Sequence, residues 1–241
     1  MILSECAIIK ANTMKKIFFL LLSSFILHAA QAQRLSRIVF NNTGQLEAID
    51  YELPENVILK LSKDGNIMSW GANRYAGRDD IMREQLDPYV GRVEYYPNNV
   101  NEAFRGKIRS IGQVMITYYA SYDNPAFAGK IQSIGRNNFN YYTLQENEAF
   151  KGNLKSIGSD QFEWYSTYDL DDYKGKLKSV ANNAITYYTS LDDQYIRGKV
   201  KSIGGSVYTY YTSFDRKELR GYLKTGQVIS TINGLKFMVK N

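Results

Sequence analysis

Beyond residue 32 the chain contains no cysteine and no histidine, because its one cysteine is Cys6 and its one histidine is His28. That absence removes disulfide stapling from the rest of the protein. It also removes thiolate nucleophiles, imidazole bases and the His/Cys class of zinc site. An enzyme built from these residues would have to work with carboxylates, Ser, Tyr or Lys. Proline is scarce, four in 241 residues, so the composition is not that of a disordered linker. No P-loop, dinucleotide fingerprint or nucleophile elbow occurs. No cofactor is therefore expected.

The chain also lacks an apolar run long enough to span a bilayer. The longest is Ile17 to Leu27, 11 residues interrupted by Ser23 and Ser24. It follows the basic start Met14-Lys15-Lys16 and precedes the small-residue site Ala30-Gln31-Ala32. This pattern predicts a secretory signal peptide from Met14, with residues 1–13 an upstream extension. The mature chain would start at Gln33 and be exported to the periplasm, the cell surface or the medium. Removing Glu5, Lys10, Lys15 and Lys16 leaves 27 basic and 23 acidic residues, a net +4.

What is abundant is glycine at a fixed step and tyrosine, 20 in the chain. Gly106, Gly129, Gly152, Gly175, Gly198 and Gly221 lie 23 residues apart without an insertion. A step held this strictly marks stacked structural units. With glycine as position 0, the unit reads Gly, Lys, apolar, Lys, Ser, apolar, Gly, then an alternating stretch ending in Tyr-Tyr, then an acidic turn. The internal period is two: Ile116, Tyr118 and Ala120 alternate with Thr117, Tyr119 and Ser121. Each unit is thus two short strands and two turns. Residues 33–100 carry irregular copies and read as a divergent N-terminal β part or cap, with a short helix at Asp79 to Leu86. Residues 101–241 hold the regular units. They end in a hairpin with Asn233-Gly234 as its type I′ turn, expected to close the last unit.

The fold class expected is all-β: an antiparallel meander of 23-residue hairpins in one long, twisted and curled sheet, with a β-solenoid as the alternative. In a solenoid Lys176 and Lys199 would stack about 4.8 Å apart, in a meander about 9.6 Å. Their repulsion in water is then about 0.9 against 0.4 kcal/mol, which favours the meander. Position 0 falls within a strand by parity, so its glycine would seat an aromatic ring or mark a bulge. Position 5 has the wrong parity for the apolar face, so the strand must kink or end near the preceding serine.

One face then carries the apolar residues and the first tyrosine of each pair. The other is expected to carry cations interleaved with the second tyrosine. The candidate ligand-binding face is Lys107, Arg109, Tyr119, Lys130, Tyr142, Lys155, Tyr165, Lys176, Lys178, Tyr188, Lys199, Lys201 and Tyr211. Lysine would supply charge and tyrosine a stacking surface, suited to an anionic envelope polymer, a glycan or another envelope protein. Export argues against nucleic acid, and strands of six to eight residues are too short for a membrane barrel. The acidic turns lack the spacing of a calcium loop and read as turn-forming aspartates. No catalytic residue and no metal ligand is assigned.

The phrase "GKIRSIG…ITYYASYD" and its copies resemble a group of uncharacterised secreted Bacteroidota proteins with GKIKSIG…TYY repeats. That resemblance implies export and repeated units, with no particular activity. More remotely, the aromatic-x-Gly openings Phe104-Arg105-Gly106 and Tyr173-Lys174-Gly175 are similar to the MORN repeat, although its later glycines are absent. Together these readings predict a non-enzymatic repeat protein that binds or scaffolds in the cell envelope. A carboxylate-based glycan hydrolase is the alternative, and it would need two carboxylates in a pocket off the repeat register, within residues 33–100.

Overall fold

The computed structural model describes residues 33–73 and 85–241. The expected signal peptide, and residues 79–84 of the expected helix, lie outside them; Leu86 is not helical. Among the described residues the only helical turns are two short 3-10 segments, Pro54–Asn56 and Lys217–Leu219. Everything else is strand and turn.

The chain opens with two antiparallel hairpins, β1 (Arg34–Phe40) with β2 (Leu46–Leu53), and β3 (Val57–Leu61) with β4 (Ile67–Ala72). A meander follows: β5 (Val93–Tyr95), β6 (Ile108–Ile111), β7 (Val114–Tyr118), β8 (Ile131–Ile134), β9 (Asn137–Tyr141) and β10 (Leu154–Ile157). It continues through β11 (Asp160–Trp164), β12 (Leu177–Val180), β13 (Asn183–Tyr187), β14 (Val200–Ile203) and β15 (Ser206–Val207). These eleven strands form one antiparallel sheet in which spatial order is sequence order. The fold is therefore the meander and not the solenoid. A separate short pair, β16 (Thr209–Tyr210) and β17 (Leu223–Thr225), follows.

The last hairpin, β18 (Ile229–Ile232) and β19 (Leu235–Val239), does not close the repeats. Instead β19 pairs in parallel with β1, giving a six-stranded sheet of order β18-β19-β1-β2-β3-β4. Its turn has the expected form, with φ of 49° at Asn233 and 82° at Gly234.

Two local devices recur through the units. Within a hairpin the turn is two residues long, and its glycine (Gly112, Gly135, Gly158, Gly204) has φ of 53–56°. The following residue does not share the positive φ, which makes these type II′ turns. The second device resolves the parity of position 5. Tyr118 faces Ile131 and Thr117 faces Ser133, so Gln132 is an extra residue on its strand. Arg109, Lys155, Lys178, Lys201 and Lys224 are extra in the same way. This bulge lets positions 2 and 5 both point inward: Ile131 and Ile134 are buried, as are Val200 and Ile203.

The repeat glycine is not a seat for an aromatic. It has φ of 71–82° in all six units and precedes the strand. Gly129 N–H donates to the Tyr119 carbonyl at 2.9 Å, and Lys130 N–H to the Phe127 carbonyl at 2.8 Å. A tight turn here runs directly into a glycine bulge, and only glycine takes that backbone without strain. A side chain at Gly129 or Gly175 would strike the Ala103 or Ala149 carbonyl.

The six-stranded sheet covers one face of the repeat sheet, and the two share one core. Phe40 meets Tyr187 edge-on at 6.5 Å between centroids, and Tyr51 meets Phe139 at 5.6 Å. Polar contacts join them too: Asn137 donates to the Tyr51 hydroxyl, and Asn233 donates to the buried Asn183 at 2.9 Å. The apolar face expected from the repeats is thus the inner face of a two-layer sandwich.

Candidate binding face

The outer face of the repeat sheet has no second layer among the described residues. What stands on it follows from the bulge. Position 3 is the extra residue, so its side chain is pushed outward, and Arg109, Lys155, Lys178, Lys201 and Lys224 are all exposed. Each lysine ammonium lies over the second tyrosine of the preceding unit. The distances to the ring centroid are 5.0 Å for Lys155 on Tyr142, 5.5 Å for Lys178 on Tyr165, 5.4 Å for Lys201 on Tyr188 and 5.2 Å for Lys224 on Tyr211. Lys155 also pairs with Glu146, and Lys224 with Asp215. In the unit that starts at Gly129, Gln132 takes the place of the lysine.

The other expected cations are elsewhere. Lys107, Lys130, Lys176 and Lys199 were placed on this face by simple alternation. They stand in the glycine turn, one residue before their strands, where strand alternation does not hold, and they turn the other way. Their ammonium groups lie 4.6–5.2 Å from the rings of the first tyrosines, Tyr118, Tyr141, Tyr187 and Tyr210. Lys176 donates to the Gly198 carbonyl at 2.8 Å, and Lys107 and Lys130 make the same contact with Gly129 and Gly152. Lys199 donates to the Asn42 carbonyl of the covering sheet. Lys176 is only 8% exposed. Burial pushes all four ammonium groups below the ordinary lysine range.

The second tyrosines also differ from the expectation of outward-facing rings. Their hydroxyls donate to backbone carbonyls of the next unit: Tyr119 to Phe139, Tyr142 to Phe162, Tyr165 to Ile185 and Tyr188 to Tyr208, at 2.8–3.1 Å. The ring edges meet the first tyrosines of the next unit, as Tyr165 meets Tyr187 at 6.2 Å. The first tyrosines, and Trp164 in their column, bond back to the carbonyl ten residues earlier. Burial raises the hydroxyl pKa of Tyr119, Tyr142, Tyr165 and Tyr188, and of Tyr118, Tyr141, Tyr187 and Tyr210. These rings staple neighbouring hairpins, and the lysines cover them.

The acidic turns are occupied by the backbone. Asp123, Asp169, Asp192 and Asp215 each accept the N–H three residues earlier at 2.6–2.7 Å. Those bonds hold Asp169 and Asp215 below the usual carboxylate range. Asp193 is lowered first by the Ser213 hydroxyl, which reaches it from the next loop.

A row that alternation did not reveal stands at the tips of the long loops. Tyr122, Tyr168, Leu191 and Phe214 are 84–96% exposed. The signal was a large apolar or aromatic residue between a serine or threonine and an aspartate inside a turn, where no strand could bury it. Two clefts lie among the described residues beside the first units. One, of about 440 Å³, is lined by Glu55, Tyr89, Arg92 and Glu94 beside the turn at Gly112. The other, of about 290 Å³, lies between β4 and the first unit. Comparison with protein-family models, with curated proteins and with solved structures finds no match to this chain.

Proposed function

We propose that this is an exported, non-enzymatic repeat protein that binds an extended anionic polymer or glycan of the cell envelope. The contact surface is the outer face of the repeat sheet. One observation carries the reading: Arg109, Lys155, Lys178, Lys201 and Lys224 form an exposed row on the uncovered face. Two-strand units bring successive members to a spacing of about 9.6 Å, with a gap at Gln132. A linear polyanion can engage such a row at several points, so weak contacts add through effective concentration. Each ammonium is oriented by a tyrosine ring and so loses less freedom on binding. The similarity to secreted repeat proteins supports export, and the aromatic-x-Gly openings support a MORN-like scaffold role.

The test uses the protein with Lys155, Lys178 and Lys201 changed to Glu, on polygalacturonate and on envelope fractions. Binding should fall at least tenfold (about 1.4 kcal/mol). In the unaltered protein it should weaken as salt rises from about 0.05 to 0.5 M. Binding that ignores both changes refutes the reading.

A second reading, a carboxylate-based glycan hydrolase, rests on the cleft that Glu55 and Glu94 line together. Glu55 accepts the Tyr89 hydroxyl at 2.9 Å, and Glu94 pairs with Arg92, so each carboxylate already has a partner. Release of reducing ends from an envelope glycan, abolished by Glu94→Gln, would favour this reading over the first.

A further inference from the structure

The covering sheet touches the repeat sheet through two turns of the same design. Asn41–Gln45 and Ser62–Asn66 are both five-residue turns with glycine fourth, at φ of 76° in each. Both are closed by the same pair of backbone bonds: Asn41 with Gln45 and Gly44, and Ser62 with Asn66 and Gly65, at 2.9–3.0 Å. They sit on equivalent places in the repeats. The first lies on Gly198-Lys199, where the Lys199 ammonium donates to the Asn42 carbonyl and a side chain at Gly44 would strike the Gly198 carbonyl. The second lies on Gly152–Leu154, where Leu154 N–H donates to the Lys63 carbonyl at 2.8 Å.

Gly198 and Gly152 are two units apart. The next seat in that step is Gly106-Lys107-Ile108, and no turn of the described residues covers it. A side chain at Gly106 would meet no heavy atom of the described residues within 4 Å. Beside it lies the 290 Å³ cleft, lined by Lys107, Ile108 and Tyr118 from the first unit and by Ile67, Met68 and Trp70 from β4. β4 ends the six-stranded sheet, and beyond it the described residues offer only the bridge between Ala72 and Asp87. Leu86 and Asp87 lie against Gly71 and Ala72, and among the described residues the rest of the β4 edge has no partner strand and stands beside the turn seat.

We infer that this cleft takes a β-hairpin from a partner protein. One strand of the hairpin adds to the β4 edge, and its glycine-containing turn rests on Gly106–Ile108 with a carbonyl facing Lys107. Strand addition supplies main-chain bonds, and the apolar wall of Ile67, Trp70 and Tyr118 selects the inward side chains. A second copy of this chain is a poorer occupant. Both of its turns of this form, among the described residues, are already seated on its own repeats.

The full chain is titrated with a cyclised peptide copying Phe40–Leu46, the segment that carries the first seated turn, while Trp70 fluorescence is followed. Saturable binding is expected. It should weaken at least tenfold in Met68→Glu, which puts a charge at an exposed edge position, and in Lys107→Met. Thermal melts of both variants are run alongside, and Met68→Glu decides the matter if Lys107→Met lowers stability. No saturable binding, or binding indifferent to Met68→Glu, overturns the inference. So does self-association of the full chain that the peptide competes away, because the occupant would then be a second copy. None of these outcomes depends on the outer cation row, so the two proposals fail separately.

Discussion

The two sheets of this protein are built on opposite plans. In the repeat sheet every strand pairs with its sequence neighbour, strands inside the regular units are two to five residues long, and each tyrosine staple reaches 10 or 20 residues along the chain. The covering sheet has strands of four to eight residues and is completed only when β19 joins β1, pairing Arg37–Phe40 with Lys236–Val239. One layer is assembled from local contacts, which form quickly and tolerate copying. The other needs both ends of the described chain. Because they share one core, the local layer is expected to depend on the non-local one: uncovered, its inner face would expose a column of Ile, Leu and Tyr to water.

The strongest way to break that dependence is Phe237→Ala. Phe237 is fully buried in β19, and the truncation should cost about 3–5 kcal/mol. The chain has two tryptophans, Trp70 in the covering sheet and Trp164 in the repeat sheet. Single-tryptophan versions therefore report on each layer separately in urea. Both transitions should move together to lower urea. A Trp164 transition that stays in place while that of Trp70 moves would show that the repeats stand alone.

A smaller effect sharpens the comparison within the repeat sheet. Lys176 and Lys178 are two residues apart, yet one is 8% exposed and bonded to Gly198, while the other stands in the open. Lys176→Met leaves the Gly198 carbonyl without that donor and should cost about 1–2 kcal/mol, part of the loss being returned by removing a desolvated charge. Lys178→Met should stay within about 0.5 kcal/mol. Equal costs in denaturant would mean that the outer cations are structural, which would weaken their case as a binding row.

That contrast also marks how far the sequence could be read. The 23-residue step announced the meander, and the wrong parity of Ile111, Ile134 and Ile157 announced a kink before them. The bulges at Gln132 and its equivalents are that kink. The second irregularity, at the repeat glycine, stood only as the alternative to an aromatic seat, because a glycine in a strand and one in a left-handed turn look alike in a sequence. Missing it reversed the side assigned to Lys107, Lys130, Lys176 and Lys199, because these lysines stand in that turn, one residue before the strand, where its alternation does not yet hold. The outward tyrosines failed for another reason: alternation gives the direction of a side chain, but not that its hydroxyl will find a carbonyl 20 residues on. The Asn233-Gly234 hairpin was legible as a turn, yet nothing local could show that β19 would pair with β1. Parallel pairing across almost the whole described chain leaves no periodic trace.

The smallest expected effect concerns the unit at Gly175, which differs at its hairpin turn from the units at Gly106, Gly129, Gly152 and Gly198. Where those units have glycine, this one has Ala181, held at φ 46° and followed by Asn182 at φ 63°. Two positive angles in succession make this a type I′ turn in place of type II′. An alanine in the left-handed region costs about 1–2 kcal/mol. Ala181→Gly removes that strain but makes the unfolded chain looser by about 0.4–1 kcal/mol, and it gives up a methyl that packs on the core. The balance is a gain of about 0.5 kcal/mol, or about 1–2 °C in Tm for a domain of this size. A melting temperature that falls would mean that the methyl contact outweighs the backbone strain. The type I′ turn would then be a packed feature of that unit, where the glycine turns of the other units serve only to reverse the chain.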